Sequence, residues 1–290
     1  MTISFLSRHA PWTDRRGHLS WLRLCVFVLV LFPGARIFYD LLLGPVFPEP
    51  YEQALHQSGT WAVRFLLLTL AVTPARRIFG WNRILGVRRM LGVSVLGYAL
   101  LHLGLYAAQE NWNLAKVGIE MFTRFYLVIG LVALTGLVAL GATSFDSTIR
   151  RLGRNWGRLH MLVYPIAVLA LYHFFLQSKS DVTQATLMAG LFLLLMIYRG
   201  MAKAGFSLSN PLVLAASAAL AAAATAAVEY AWYALATGIP ADRVFWANFN
   251  VAIALRPTVW VGIAGLAVCA AACVQTAGKV AGRRLQLKKA

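Results

Sequence analysis

Two histidines, His160 and His173, stand thirteen residues apart near the two ends of the stretch RLHMLVYPIAVLALYHF, residues 158–174. A third, His102, lies inside a second apolar run, RRMLGVSVLGYALLHLGLY, residues 88–106. Each run begins on arginine and then stays apolar for roughly the 30 Å of a bilayer's hydrocarbon core, so each reads as a membrane span. A histidine inside a span is costly to bury and is by default a functional hypothesis. Neutral imidazole is a common axial ligand of haem iron, which makes electron transfer the first chemistry to test.

The composition decides which elements must carry these rings. At 290 residues, 60% hydrophobic and 13% charged, with a mean hydropathy of +0.67, the chain has too few charges to solvate a globular surface. It reads as an all-α polytopic membrane protein with about eight transmembrane helices. A net charge of +17 in a soluble protein would point to nucleic acid. Here the Lys and Arg residues fall in short loops between spans, where they set topology, and nucleic acid is excluded. Cys25, Cys269 and Cys273 all lie in apolar segments, which suggests neither a disulfide framework nor a thiolate metal site. No CxxCH occurs, so any haem is held without covalent attachment. Residues 1–20 are polar and basic, and residues 21–43 are long enough to span, which reads as a first transmembrane helix and not a cleaved leader.

The expected spans are residues 21–43, 61–79, 90–108, 122–142, 159–176, 185–198, 211–236 and 257–276. Of the 27 Lys and Arg residues, 20 fall in the N-terminal tail, in alternate loops and in the C-terminal tail, and 7 fall on the other side. The positive-inside rule then places both termini in the cytoplasm, and a bacterial inner membrane fits. Acidic residues such as Glu110, Glu120 and Asp181 fall on or near the opposite side. No internal repeat is evident, and no segment is long enough to fold a nucleotide-binding domain, so a redox protein of this kind takes its electrons from a separate molecule. Residues 211–236 are rich in alanine, which permits close helix packing in lipid.

At about 1.5 Å per residue, His102 lies roughly 20 Å in from Arg89 and His173 roughly 22 Å in from Arg158, at nearly one depth in the outer half of the membrane. Two readings follow. The rings clamp one haem between two helices, or each hydrogen-bonds to a neighbouring helix. His160 sits near the inner interface, and the matching position on the third span is Arg89, so the inner level lacks a second histidine and one haem is expected. His160 then faces an inner flavin or quinone pocket, touches a haem propionate, or is a partly hydrated interfacial histidine. Arg88 and Arg89 are first a topology signal, and their guanidinium groups also suit a flavin phosphate or a haem propionate. His9, His18 and His56 fall in tail or loop segments with no special role expected.

Four segments carry a family resemblance: RFLLLTLAVTPARR at 64–77, RRMLGVSVLGYALLHLGLY at 88–106, TRFYLVIG at 123–130, and LGRNWGRLHMLVYPIAVLALYHF at 152–174. Over about residues 21–200 the chain resembles the MsrQ family of haem-binding membrane subunits, within the ferric-reductase-like transmembrane group. The resemblance implies a six-helix haem-binding core over 21–204, after a cytoplasmic tail of residues 1–20. It implies haem b and bound FMN, and carries the family's histidines over to His102, His160 and His173; His102 and His173 are the expected metal ligands, and His160, with Arg88 and Arg89 from the chemistry above, the further expected cofactor-binding residues. It implies electrons drawn from the quinone pool or a cytoplasmic flavin reductase. They pass to a periplasmic molybdopterin-containing subunit, MsrP, which reduces methionine sulfoxide in oxidised proteins and docks on the loops at 44–60, 109–120 and 177–181. The chain departs from the pattern by an extension at 205–290 that adds two spans and a basic tail. A stand-alone ferric or other metal reductase with the same core is the nearest rival, and a transporter or structural subunit without haem is the more distant one.

Overall fold

The computed structural model describes residues 10–14, 16–44, 49–179, 181–250 and 254–287, with side chains as far as residue 279. His9, four of the basic residues counted above (Arg8, Arg15, Lys288 and Lys289) and residues 45–48 of the expected loop 44–60 lie outside the described residues. The helices are α1 (Trp21–Leu42), α2 (Pro50–Phe79), a 3₁₀ turn (Asn82–Val87), α3 (Arg88–Gln109), α4 (Leu114–Thr123), α5 (Phe125–Ala142) and α6 (Asp146–Leu152). They continue as α7 (Arg154–His160), α8 (Val163–Gln177), α9 (Thr183–Lys203), α10 (Pro211–Ala236), α11 (Ala241–Ala247) and α12 (Pro257–Leu287). Among the described residues, seven helical stretches are long and apolar enough to cross a membrane. The 30-residue α2 is also long enough but carries Arg64, Arg76 and Arg77. The protein is an all-α polytopic membrane protein, as its composition requires.

Several boundaries differ from the sequence reading, each for a local reason. α2 begins at Pro50, not at residue 61, so most of the expected outer loop 44–60 is helical. Polar side chains there are matched within the helix, as with Glu52 and His56 at 3.5 Å, one turn apart. The expected fourth span starts later, as α5, and most of the loop before it is the helix α4; the two are separated at Arg124, which is extended (φ −88°, ψ 115°). Asn113 caps α4 by accepting from the Lys116 amide at 3.1 Å. Before it the chain reverses through Asn111 and Trp112, both left-handed at φ 54° and 59°. The expected helix 159–176 is broken at Met161 and Leu162, between α7 and α8. Pro165 has no amide to offer the Met161 carbonyl, which instead accepts from Tyr164, while Met161 and Leu162 bond three residues back, to Arg158 and Leu159.

The chain forms two compact units, residues 1–69 with 83–177 and residues 70–82 with 178–290. The boundary expected between residues 204 and 205 lies inside the second. In the first unit α5 packs along α8, and α3 packs against both α1 and α5. Pro33 inside α1 removes one helical hydrogen bond, and the neighbouring Val30 carbonyl accepts from the Tyr98 hydroxyl of α3 at 2.7 Å. Gly34 leaves room for that hydroxyl, since a Cβ there would stand 3.1 Å from it. α1 is thus fixed to the helix that carries His102.

In the second unit α10 packs against α9 and α12 around Leu194, Tyr198, Leu214, Ala221 and Val261. Small residues set these separations: a Cβ on Gly265 would stand 2.5 Å from that of Ala218. Glu229, 1% exposed in α10, accepts from Asn248 at 2.9 Å and from Arg256 at 2.7 Å. Pairing and hydrogen bonding are what make a buried carboxylate tolerable.

Candidate functional site

His102 on α3 and His173 on α8 come together in the first unit, with ring centres 6.3 Å apart and ring planes at 89°. Each ring is anchored the same way. His102 donates from Nδ1 to the Leu55 carbonyl of α2 at 2.9 Å, and His173 donates from Nδ1 to the Tyr126 carbonyl of α5 at 2.8 Å. A carbonyl oxygen can only accept, so Nδ1 carries the proton and Nε2 is left with the lone pair that binds a metal. A backbone carbonyl holding the second nitrogen is the usual support for a ligating histidine. Each ring also lies over a glycine one turn beyond its carbonyl. A Cβ on Gly59 or on Gly130 would stand 3.0 Å from the His102 or the His173 ring.

The two half-sites repeat at a spacing of 71 residues: Leu55, Gly59 and His102 correspond to Tyr126, Gly130 and His173. The sequence reading found no repeat, and the matching residues differ in type except at glycine and histidine. The one signal was the interval of 43 residues from glycine to histidine, which occurs in both halves. Leu55, Gly59, Tyr126 and Gly130 were all missed, the first and third because only their backbone atoms take part.

The donor set fits a planar iron macrocycle. Among the described residues no group of three or more His, Cys, Asp or Glu side chains could hold a bare metal ion. Two imidazoles whose Nε2 atoms carry the lone pair, with ring centres 6.3 Å apart, would hold such a macrocycle between them, and the remaining metal ligands would come from the cofactor. Each ring hydrogen-bonds a neighbouring helix through Nδ1, which leaves Nε2 for a metal, so the two readings of the histidines do not exclude one another.

A polar chain flanks this pair at the ends of α3 and α5. Tyr106, one turn beyond His102, donates its hydroxyl to Glu120 of α4. Glu120 also accepts from Arg124 at 2.7 Å, and Arg124 donates to the Tyr126 hydroxyl at 3.1 Å. The Tyr106 hydroxyl, then the charges of Arg124 and Lys116, hold the Glu120 carboxyl below its ordinary value. Lys116 pairs with Glu110.

The remaining expected site residues gather elsewhere in the same unit. His160 ends α7, with its ring stacked on Trp156 at 4.0 Å between centres and Nδ1 donating to the Trp156 carbonyl at 3.2 Å. Trp156 is itself tied to the Thr143 carbonyl at 2.9 Å. Arg88 lies within electrostatic reach of His160. Arg89, at the position 71 residues before His160, is paired with Asp146. The structure therefore brings His102 and His173 together, leaves Arg88 within electrostatic reach of His160, and engages Arg89 in an exposed ion pair. Trp156 was not singled out from the sequence.

Residues 58–171 match the family of ferric reductase like transmembrane components. Among curated proteins, the protein-methionine-sulfoxide reductase heme-binding subunit MsrQ of Xanthomonas oryzae pv. oryzae is 40% identical over 158 residues, 53% of this chain and 72% of the relative. The subunit of the same name from Xanthomonas campestris pv. campestris is 42% identical over 154 residues, 52% of this chain and 70% of the relative. That of Rhodospirillum rubrum is 36% identical over 188 residues, 64% of this chain and 88% of the relative. No solved structure matches the chain. With relatives 36–42% identical to it and covered over most of their length, this chain belongs to the MsrQ family of protein-methionine-sulfoxide reductase heme-binding subunits.

Proposed function

We propose that the chain is a membrane electron-transfer subunit that binds one haem b through His102 and His173. The observation that carries this reading is the pair of imidazoles 6.3 Å apart, each donating its Nδ1–H to a backbone carbonyl and so keeping the lone pair on Nε2. When bound, haem supplies a one-electron ferric/ferrous couple. The chain's own residues fix its surroundings. The Leu55 and Tyr126 carbonyls set the tautomer of both ligands, and Gly59 and Gly130 allow the rings to approach their helices. Apolar spans exclude water. The domain division proposed is a tail at 1–20, a haem-binding core at 21–204 and an extension at 205–290.

The wider role follows the family. Electrons come from the quinone pool or a cytoplasmic flavin reductase and pass to MsrP, a periplasmic molybdenum-dependent partner that reduces protein methionine sulfoxide. The chain sits in the bacterial inner membrane with both termini in the cytoplasm, as the distribution of basic residues supports. The histidine pair is then in the outer half of the bilayer, and an inner relay is needed. We assign it to FMN or a quinone near Arg88, Arg89 and His160. Arg88 supplies a cation suited to phosphate. The stack on Trp156 fixes the His160 ring.

The test is the reduced-minus-oxidised absorption spectrum of the purified protein with haem quantification. Wild type should carry about one b haem, lost in His102→Ala and His173→Ala and largely kept in His160→Ala. A haem complement that survives both of the first two substitutions would refute the ligand assignment. Reduction of chelated iron by the isolated subunit at a rate that MsrP does not compete with would favour the stand-alone reductase instead.

A further inference from the structure

The two half-sites are alike in outline and unequal in one atom. On α2 the Leu55 carbonyl accepts from the Ser58 hydroxyl at 2.8 Å as well as from His102 at 2.9 Å. It also stands where the helical amide of Gly59 bonds. A carbonyl has two lone pairs, so three donors compete for them. On α5 the matching position, three residues beyond Tyr126, is Ile129, which has no hydroxyl. Ser58 is completely buried, so no water relieves the competition.

Serine and threonine hydroxyls commonly bond back to their own helix, and Thr69, Ser94 and Thr135 do so here. Ser58 differs in that its acceptor also serves a candidate ligand histidine. A hydroxyl donated to the carbonyl draws electron density from it and weakens it as an acceptor for the imidazole N–H. The stronger that N–H bond, the more basic the imidazole and the more the ferric state is favoured. Sharing the acceptor therefore works in the opposite direction.

Resting on the assignment of His102 and His173 as haem ligands, we propose that Ser58 is a positioning residue for His102 that raises the reduction potential of the bound haem by competing for the Leu55 carbonyl. The two axial ligands are then chemically unequal, with His173 the more strongly engaged. The tuning lies in a single hydroxyl that touches neither the metal nor the macrocycle.

The test is a redox titration of the full-length protein, followed by haem absorption, for wild type, Ser58→Ala, Ser58→Thr and Ile129→Ser. Ser58→Ala should keep its haem and titrate at a lower potential. Ser58→Thr, which retains the hydroxyl, should stay at the wild-type value. Ile129→Ser places the same competition on the Tyr126 carbonyl and should titrate higher. Ser58→Ala at the wild-type potential with full haem would overturn the inference. If Ser58→Ala fails to assemble, an unshifted Ile129→Ser would overturn it equally. Failure of the ligand assignment shows separately, as haem retained in His102→Ala.

Discussion

At the residue scale the site depends on what is absent from two positions as much as on the two rings. Gly59 and Gly130 face the imidazoles at a distance where an added Cβ, 3.0 Å away, displaces the ring from its carbonyl. Backbone at that position is helical and close-packed, so neither side has slack. Gly130→Val should therefore lower haem content several-fold, whereas Gly97→Ala on α3, where nothing lies within 4 Å of the new Cβ, should keep it full. Haem quantification of the two variants checks this, and a fully loaded Gly130→Val would show that the ring contact is dispensable. The histidines were legible in the sequence because membrane burial makes their type informative and residue counting gives their depth. Their carbonyl partners were not, since a backbone oxygen leaves no trace in residue type. Ser58 was invisible for the same reason: its meaning lies in which acceptor it shares.

At the element scale, α4 shows how a polar contact holds a short helix at the edge of the site. α4 joins α3 to α5 and buries Val117 and Glu120. Glu120 ties it to Tyr106 of α3 and to Arg124 at the start of α5. The folded-state pKa of Glu120 lies below the ordinary 4.5, so its contribution is fully present above that value and is lost as pH falls through the lower one. Amide protection of α4 should accordingly fall on acidification below about pH 4.5, and Glu120→Gln should remove most of that pH dependence. Hydrogen exchange of residues 114–123 measures it, and the same pH profile in both proteins would reject Glu120 as the cause. From the sequence, α4 and the first turns of α2 read as loops because they are polar and short. Helix pairing, capping by Asn113 and contact with neighbouring spans decide otherwise. The break between α7 and α8 is only half legible in the sequence: Pro165 marks a position that cannot donate to the helix, but the loss of a full turn at Met161 and Leu162 depends on how the freed carbonyls find donors.

At the scale of the whole molecule, eight spans are legible in the sequence by length and hydropathy, seven of them met by apolar helices among the described residues and the other lying within α2, whereas the division into two units is not legible. Helix α9 reads like any other span in sequence, and it packs with α10 and α12 because glycine and alanine faces fit there. The second unit contains its own buried ion pair, and that pair gives a test of whether the units are energetically separate. Arg256→Ala leaves the Glu229 carboxylate, 1% exposed, accepting from Asn248 without a cation beside it. Removing one member of a buried pair costs on the order of 3 kcal/mol, because the other charge stays desolvated. Cys269 in α12, half-buried against the Pro211 carbonyl at 3.4 Å, reports opening of this unit. On heating a Cys273→Ser background, Arg256→Ala should make Cys269 alkylate at a lower temperature, while the haem absorbance, which reports the His102 and His173 half-sites, melts where it did before. Adding Glu229→Gln removes the stranded charge and should recover part of the loss. A haem band that melts early together with Cys269 exposure would show that the two units unfold as one, and that the C-terminal helices support the site they do not contribute to.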